Sequence, residues 1–351
     1  MADSKARIGV LGASGYTGGE AVRLLLRHPR VELKVLTADR HAGKPIAQVF
    51  PQFAGIDLPK LVKIEEIDVG ALDFVFTGLP HGTTQAVIKN LLAAAPKLKV
   101  GDISADFRMS DPVIYEKWYG HAHQAIELQK EAVYGLTEIY REQIKKARLV
   151  ANPGCFTTTS ILAIVPLLEG GAIDPDSIVI DSKTGMTGAG RAAKEEMLFS
   201  EVSEGLHAYG VGHHRHMSEL DQEFSLAAKR PVVASFTPHL APMNRGIYAT
   251  HYVKMLGKTT AEQLHKVLAD FYKSEQFVKV LDFGAVPQSR HVRGTNFVQI
   301  GIVADRVAGK AIVISTLDNL IKGASGQAVQ NMNLMLGFPE TEGLTQLAMF
   351  P

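Results

Sequence analysis

Apolar and polar positions divide this chain into two kinds of territory. Ala6 to Leu11 (ARIGVL) is a short apolar run, followed by a glycine turn and a helical pattern that reaches about His28 and stops at Pro29. Val31 to Thr37 (VELKVLT) is the next strand-like run. Phe74 to Thr77 and Lys99 to Ile103 continue the series, with a helical pattern from Thr84 to Ala95 between them. Strand, turn, helix, strand is a βαβ unit, and a succession of such units builds a parallel sheet.

The pattern changes after Asn152. Ile161, Leu162, Ile164, Val165, Leu167 and Leu168 recur at helical spacing. Strand patterns then come in quick succession: Ser177 to Ser182, Val232 to Thr237, Gly246 to Lys254, Val278 to Leu281, Phe297 to Ala304 and Ala311 to Leu317. Few helices separate them, which predicts a mixed or antiparallel sheet. Such a sheet, open on one face, suits pairing with a second subunit. The proline-bearing stretch Thr237 to Gly246 is expected to interrupt the strands, and Asp318 to Asn333 to form a helix with small residues on one face. The fold class that follows is α/β. A Rossmann-type dinucleotide-binding domain is expected over 1–151 and 318–351. An α+β catalytic and dimerisation domain with a mixed sheet is expected over 152–317.

Composition narrows the function. The chain has 351 residues, 46% hydrophobic and 21% charged, with a formal net charge of +1. That is an ordinary globular balance with enough residues for two cores. It speaks against nucleic acid or a polybasic membrane surface as the main partner. No apolar stretch is long enough to span a bilayer, and Met1 to Arg7 is too short and polar for a secretion signal. The single cysteine, Cys155, rules out an internal disulfide and fits a reducing cytoplasm.

Candidate chemistry follows the same division. Gly12, Gly15 and Gly18 stand between the first strand and its helix, in Gly-Ala-Ser-Gly-Tyr-Thr-Gly. Glycines there let the backbone approach a pyrophosphate seated on the helix N-terminus. The second strand ends in Thr37-Ala38-Asp39-Arg40, with Lys44 beyond. Arg40 and Lys44 favour the 2′-phosphate of NADP, whereas Asp39 favours the ribose hydroxyls of NAD. His81 and Arg108 follow later strands and so belong to the rim where ligands gather; for His81, capping the next helix is the favoured reading, and Arg108 is the better ligand candidate.

Cys155 sits in Asn152-Pro153-Gly154-Cys155-Phe156, where the long apolar helix begins. Backbone N–H groups and the positive end of the helix dipole favour thiolate, the nucleophilic form, at such a place. Lys183 to Arg191 reads as a glycine-rich loop ending in a cation, suited to a cofactor or phosphate. His213, His214 and His216 crowd together, but no other ligand cluster accompanies them, so no metal site is assigned. One of them is better employed as a proton shuttle beside the thiol.

Taken together these strings resemble the N-acetyl-gamma-glutamyl-phosphate reductase family of the semialdehyde dehydrogenase superfamily. The likeness covers Gly12 to Asn333. It rests on Asn152-Pro153-Gly154-Cys155-Phe156, Gly188-Ala189-Gly190-Arg191, His214-Arg215-His216, and Lys322-Gly323-Ala324 with Gly326-Gln327-Ala328. Ser104-Ala105-Asp106-Phe107-Arg108 and Tyr134-Gly135-Leu136-Thr137-Glu138 are similar too. The resemblance implies NADPH-dependent reduction of N-acetyl-L-glutamyl 5-phosphate to the semialdehyde, a step of arginine biosynthesis. It makes Cys155 the nucleophile, His214 or His216 the acid/base, and Arg108 a phosphate contact. Asn152, Arg191 and Arg245 join Arg108 as substrate candidates. The cofactor candidates are Gly12, Ser14, Gly15, Tyr16, Thr17, Gly18, Thr37, Arg40, Leu79, Pro80, Gly188, Ala189, Gly190 and Asn319. A cytoplasmic homo-oligomer, dimer or tetramer, acting on a small acyl phosphate is the expected form. Where many members read Thr-Ser-Arg after the second strand, this chain has Thr37-Ala38-Asp39, which touches the preference for NADP but not the catalytic strings. The alternatives are an aspartate-semialdehyde dehydrogenase-type reductase and a nucleotide-sensing protein without catalysis.

Overall fold

The computed structural model describes residues 5–350; of the polar opening stretch, residues 1–4 lie outside the described residues. The chain forms two compact units. One holds the chain up to Pro153 together with Ala324–Thr345; the other holds Gly154–Gly323 and the chain from Gln346.

The first unit is built on strands β1 (Ala6–Leu11), β2 (Val31–Thr37), β3 (Leu61–Val62), β4 (Phe74–Thr77), β5 (Lys99–Asp102), β6 (Val133–Tyr134) and β7 (Leu149–Ala151). They form one sheet in the order β3-β2-β1-β4-β5-β7-β6, parallel throughout. Helices α1 (Tyr16–Leu25), α2 (Thr84–Ala94), α3 (Pro112–Tyr119), α4 (Ile126–Glu131) and α5 (Thr137–Lys146) connect them. Ile8, Val10, Leu11, Phe74, Val75 and Phe76 are buried, as strands covered on both faces require. Strand order reverses between β1 and β4. In an open parallel sheet that switch point, at the carboxyl ends, is where ligands bind.

The second unit begins with α6 (Cys155–Glu169), whose residues Phe156 to Leu168 are all buried. A helix buried on every side needs apolar residues all round or polar ones that are satisfied. Ile161 to Leu168 is continuously apolar, and the hydroxyls of Thr157, Thr158 and Thr159 donate to carbonyls of the first turn. Strands β8 (Val179–Gly185), β9 (His207–Ala208), β10 (Ser235–Ala241), β11 (Ile247–Lys254), β12 (Val278–Val280), β13 (Val298–Ala304) and β14 (Lys310–Leu317) form a mixed sheet, ordered β12-β13-β14-β11-β8-β10-β9. Helices α7 (Phe199–Val202), α8 (His216–Ala228) and α9 (Ala261–Tyr272) complete it, with α6 packed on β11 and β14 and α9 on β13. The last helix, α10 (Gly326–Leu336), belongs to the first unit, where it packs on α5 and α1.

Three local expectations need correction. The strand expected at Val232 to Thr237 runs instead from Ser235 to Ala241, through Pro238. Val232 N–H donates to the Ser225 hydroxyl and Ala234 N–H to Asp221, so side chains of α8 hold the residues that read as the strand's start. Pro238 has no N–H to give to the ladder, and its carbonyl accepts from Tyr209 N–H. The glycine-rich loop is shorter than expected, since Lys183 to Gly185 pair in β8 against β10 and β11. The helix expected from Asp318 starts as a π-turn, Ile321–Ser325, before α10.

Candidate active site

In the first unit the glycine turn leaves β1 and enters α1 at the switch point. Gly12 has φ +82°, and a β-carbon there would collide with the Gly78 carbonyl. A β-carbon on Gly18 would collide with the Gly12 carbonyl. Both positions therefore demand glycine. The turn is pinned by Gly12 N–H donating to the Thr37 hydroxyl at 3.1 Å and Ala13 N–H to the Thr37 carbonyl at 2.8 Å. Gly15 caps α1 without any side-chain cap, so the helix start keeps its backbone donors for an anion. Ser14, Tyr16 and Thr17 flank it half-buried, and the Thr17 carbonyl accepts from Ser325 at the head of α10. These residues fit a dinucleotide. Asp39 and Arg40 are both exposed beyond β2, and Leu79 and Pro80 follow β4.

A dense polar knot fixes the next two loops. Asp106, fully buried, accepts from Gly82 N–H at 2.7 Å, from Thr84 N–H and hydroxyl at 3.1 and 2.7 Å, and from the Tyr115 hydroxyl at 2.9 Å. Burial pushes its neighbour Asp102 up to about 6. His81 does not cap α2. Its Nδ1 accepts from Ala105 N–H at 3.0 Å, tying one loop to the other. Arg108 is buried and donates from Nε to the Asn152 carbonyl at 2.7 Å and from Nη2 to the Ile103 carbonyl at 3.0 Å. The Asn152 amide donates to the Ala324 carbonyl and accepts from Asn331. Asn152 thus braces the strand end that leads toward Cys155.

The second unit holds the thiol. Cys155 is in no disulfide, is half-buried, and is the first residue of α6. The N-cap residue, Gly154, has no side chain to cap the first turn, and the positive end of the helix favours negative charge on the sulfur. Two histidines from the start of α8 lie close by. A β-carbon built on Gly154 would stand 2.5 Å from His216 Nε2, which puts that ring directly on the residue before the thiol. His214 sits in a box of rings: Tyr209 at 5.3 Å, Phe236 at 5.6 Å, Phe156 at 5.8 Å and His216 at 4.8 Å between centroids. Its Nδ1 accepts from His216 N–H at 3.2 Å, so neutral His214 carries its proton on Nε2. Burial pulls its pKa down to about 4. Burial and the nearby charge of Cys155 push the Tyr209 phenol above its ordinary range, so it remains a proton donor at neutral pH.

Glu219 completes the cluster, and the sequence reading missed it. It is fully buried on α8, one turn from His216, and its Oε2 accepts from Gly154 N–H and from the Thr157 hydroxyl, both at 3.0 Å. It is also the charge that opposes the lowering of His214. Elsewhere in the second unit, Gly188, Ala189, Gly190 and Arg191 lie exposed after β8, while half-buried Arg245 faces Asp318 at 3.7 Å. Asn319 links two of these loops, accepting from Gly246 N–H at 2.8 Å and donating to the Thr187 hydroxyl at 3.0 Å. His213 is exposed. Among the described residues, the histidines form no metal-ligand cluster.

The buried imidazoles give a pH prediction. His214 and His251 both fall to about 4 from an ordinary 6.5, by burial. Between those values the unfolded chain binds more protons, so their contribution to stability is lost as pH falls through the window. Asp102 works the other way: raised from 3.8 to about 6, it strengthens the fold on acidification over that range. Melting curves from pH 7 to pH 4 should therefore fall less steeply for His251→Gln than for the parent, and more steeply for Asp102→Asn. Equal slopes for all three proteins would defeat both assignments.

Comparison with known proteins agrees with this geometry. Residues 7–147 match the semialdehyde dehydrogenase NAD binding domain, and 155–319 the semialdehyde dehydrogenase dimerisation domain. The class is thus a two-domain dehydrogenase with a cysteine at the head of its second domain. The chain is 66% identical to the N-acetyl-gamma-glutamyl-phosphate reductase of Afipia carboxidovorans, covering 99% of each chain. It is 58% identical to that of Rhodospirillum rubrum, again with 99% of each covered. It is 54% identical to a probable chloroplastic one of Arabidopsis thaliana, covering 98% of this chain and 85% of the other. The chain belongs to the N-acetyl-gamma-glutamyl-phosphate reductase family. Its fold is shared with aspartate semialdehyde dehydrogenase II of Vibrio cholerae, TM-score 0.72 at 16% identity, covering 95% of this chain and 99% of that one. The aspartate semialdehyde dehydrogenase of Candida albicans, solved with NADP, gives 0.67 at 19% identity, covering 95% and 99%.

Proposed function

We propose that this chain reduces N-acetyl-L-glutamyl 5-phosphate to N-acetyl-L-glutamate 5-semialdehyde, releasing phosphate, as an NADP-dependent step of arginine biosynthesis. The observation that carries the reading is the cluster at the head of α6: Cys155 on a helix start whose N-cap is glycine, with His216 packed on Gly154 and Tyr209 protonated nearby. The Cys155 thiolate attacks the acyl carbonyl, and the bond to the phosphate oxygen breaks with its electron pair leaving on phosphate. Arg108, Arg191 and Arg245 are the cations assigned to phosphate and carboxylate charge. Cys155 then carries a thioester, which accepts hydride more readily than an ester or amide. NADPH, when held on the Gly12–Gly18 turn, supplies that hydride. His216 protonates the resulting oxyanion, then takes the proton back as the hemithioacetal collapses to aldehyde and thiolate. His214 holds His216 through its backbone N–H and stays neutral throughout.

Single-turnover assays with N-acetylglutamyl phosphate and with aspartyl phosphate, each with NADPH and with NADH, test the substrate and the cofactor together. Faster reduction of aspartyl phosphate would overturn the substrate. Equal rates with NADH would overturn the NADP preference, which rests on Arg40 against Asp39.

The open face of the second sheet supports a homodimer. Tyr248, Thr250 and Tyr252 of β11 alternate with buried Ile247, Ala249, His251 and Val253, and Tyr252 pairs across to Ile312 and Val179. Tyr252→Glu is expected to shift sedimentation from dimer to monomer. An unchanged dimer places the interface elsewhere. Because the catalytic thiol must stay reduced, we assign the protein to the cytoplasm. Among the described residues no helix is long and apolar enough to cross a membrane.

A further inference from the structure

One buried carboxylate in the second unit touches two parts of the reaction without being part of either. Asp318 has no exposed surface. Its Oδ1 accepts from Leu320 N–H at 2.9 Å and Ile321 N–H at 3.2 Å. Its backbone carbonyl accepts from Ile321 N–H at 3.2 Å and from Gly323 N–H, five residues on, at 3.0 Å. The spacing of five is that of a π-helix, an uncommon geometry that gathers at functional sites. Asp318 therefore starts the π-turn. What the turn delivers is Gly323, placed so that a β-carbon there would stand 2.7 Å from Cys155 Cβ. Only a glycine leaves room for the thiol residue at this spot.

The other carboxylate oxygen faces away from the turn. Oδ2 accepts from Gly294 N–H at 2.8 Å and lies 3.7 Å from Arg245 Nη1. Arg245 is half-buried, and a guanidinium with a fixed counter-charge keeps a defined orientation toward solvent or ligand. We infer that Asp318 is a positioning residue with two outputs: through Oδ2 it orients Arg245 for the acyl phosphate, and through the π-turn it sets the ledge of Gly323 against Cys155. This rests on the reading that Arg245 meets the substrate and Cys155 attacks it.

The two outputs separate experimentally. In Asp318→Asn the amide oxygen can still accept from Leu320 and Ile321, while its NH2 group meets Gly294 N–H and Arg245. The KM for N-acetylglutamyl phosphate should rise about tenfold, with kcat within about threefold. The rate of Cys155 alkylation by iodoacetamide should stay at the parent value. In Gly323→Ala the new methyl displaces Cys155. The alkylation rate and kcat should each change about tenfold or more, with KM within about threefold. A KM within about twofold of the parent in Asp318→Asn overturns the inference. So does an unchanged alkylation rate in Gly323→Ala. Equal losses of kcat and KM in both variants overturn it too, since general loosening would give that. If Asp318→Asn fails to fold, Arg245→Gln carries its arm: raised KM with unchanged alkylation supports the role, unchanged KM ends it. Turnover of the parent tests the functional reading separately. Should the parent prefer another acyl phosphate, the same comparisons are made with that one.

Discussion

Cys155→Ser is expected to lower kcat by about 10⁴-fold or more while leaving the melting temperature near that of the parent. Two contacts of Cys155 that shape the fold are made by its backbone and its β-carbon. Its carbonyl accepts from the Thr159 hydroxyl at 2.8 Å, and its β-carbon meets Gly323. Serine keeps both and differs little in size. What it loses is chemistry. A helix N-terminus beside an imidazole can hold a thiolate, but an alkoxide is far too basic to be held that way. An ester, if formed, is also a poorer hydride acceptor than a thioester. Mass spectrometry of the parent mixed with N-acetylglutamyl phosphate, without nicotinamide, should show the acyl group on the peptide bearing Cys155, and none on the serine variant. A serine variant with a tenth of parent turnover would falsify the covalent scheme.

Much of the fold could be read from the sequence because its signals are local. β1, β2 and β4 fall on the expected runs Ala6–Leu11, Val31–Thr37 and Phe74–Thr77: β1 and β4 are short, apolar, largely buried runs bounded by turns, while β2 sets exposed Glu32 and Lys34 between apolar residues. β11 is legible from the alternation of buried and less buried residues along it, whereas β14 is buried from Val313 to Leu317 and is legible as a β-branched apolar run. β10 starts three residues and ends four residues later than its composition predicts, because Val232 and Val233 have the composition of a strand but side chains of α8 accept from the N–H groups of Val232 and Ala234. No sequence pattern announces that competition.

The chemistry was legible in part for a related reason. Cys155 announces itself as a lone thiol at a helix start. His214 and His216 announce themselves as a pair, yet their order of approach depends on how α8 packs on α6, which spacing cannot supply. Glu219 and Asp318 were hidden for the same reason. An acid one turn into a helix looks like ordinary dipole compensation, and an acid before a helix looks like a cap. Only the tertiary partners, Gly154 and Thr157 for one and Gly294 and Arg245 for the other, reveal that each is buried and committed. Thr37 and Asn319 show the converse. Both stand in strings that resemble cofactor sites, and in the fold their polar side-chain atoms hold backbone and loop partners.

The packing of His216 on Gly154 makes a second large effect testable. Gly154 has φ −67° and ψ 152°, which any residue adopts, so Gly154→Ala carries no backbone strain. The added methyl would nevertheless lie 2.5 to 2.8 Å from three atoms of the His216 ring. Either the ring or α6 must move, and the ring is the softer of the two, because Glu219 holds Gly154 N–H and α6 is buried along its length. With the acid/base displaced, kcat should fall by about 10²- to 10⁴-fold. The thiol keeps its place at the helix start, so acylation in a burst assay should outlast the loss of hydride turnover. His216→Asn should show the same separation, whereas His214→Asn, which removes only a positioning contact, should cost less. If Gly154→Ala turns over at the parent rate, or if His214→Asn proves the more damaging of the two histidine variants, the proton passes through His214 and not through His216.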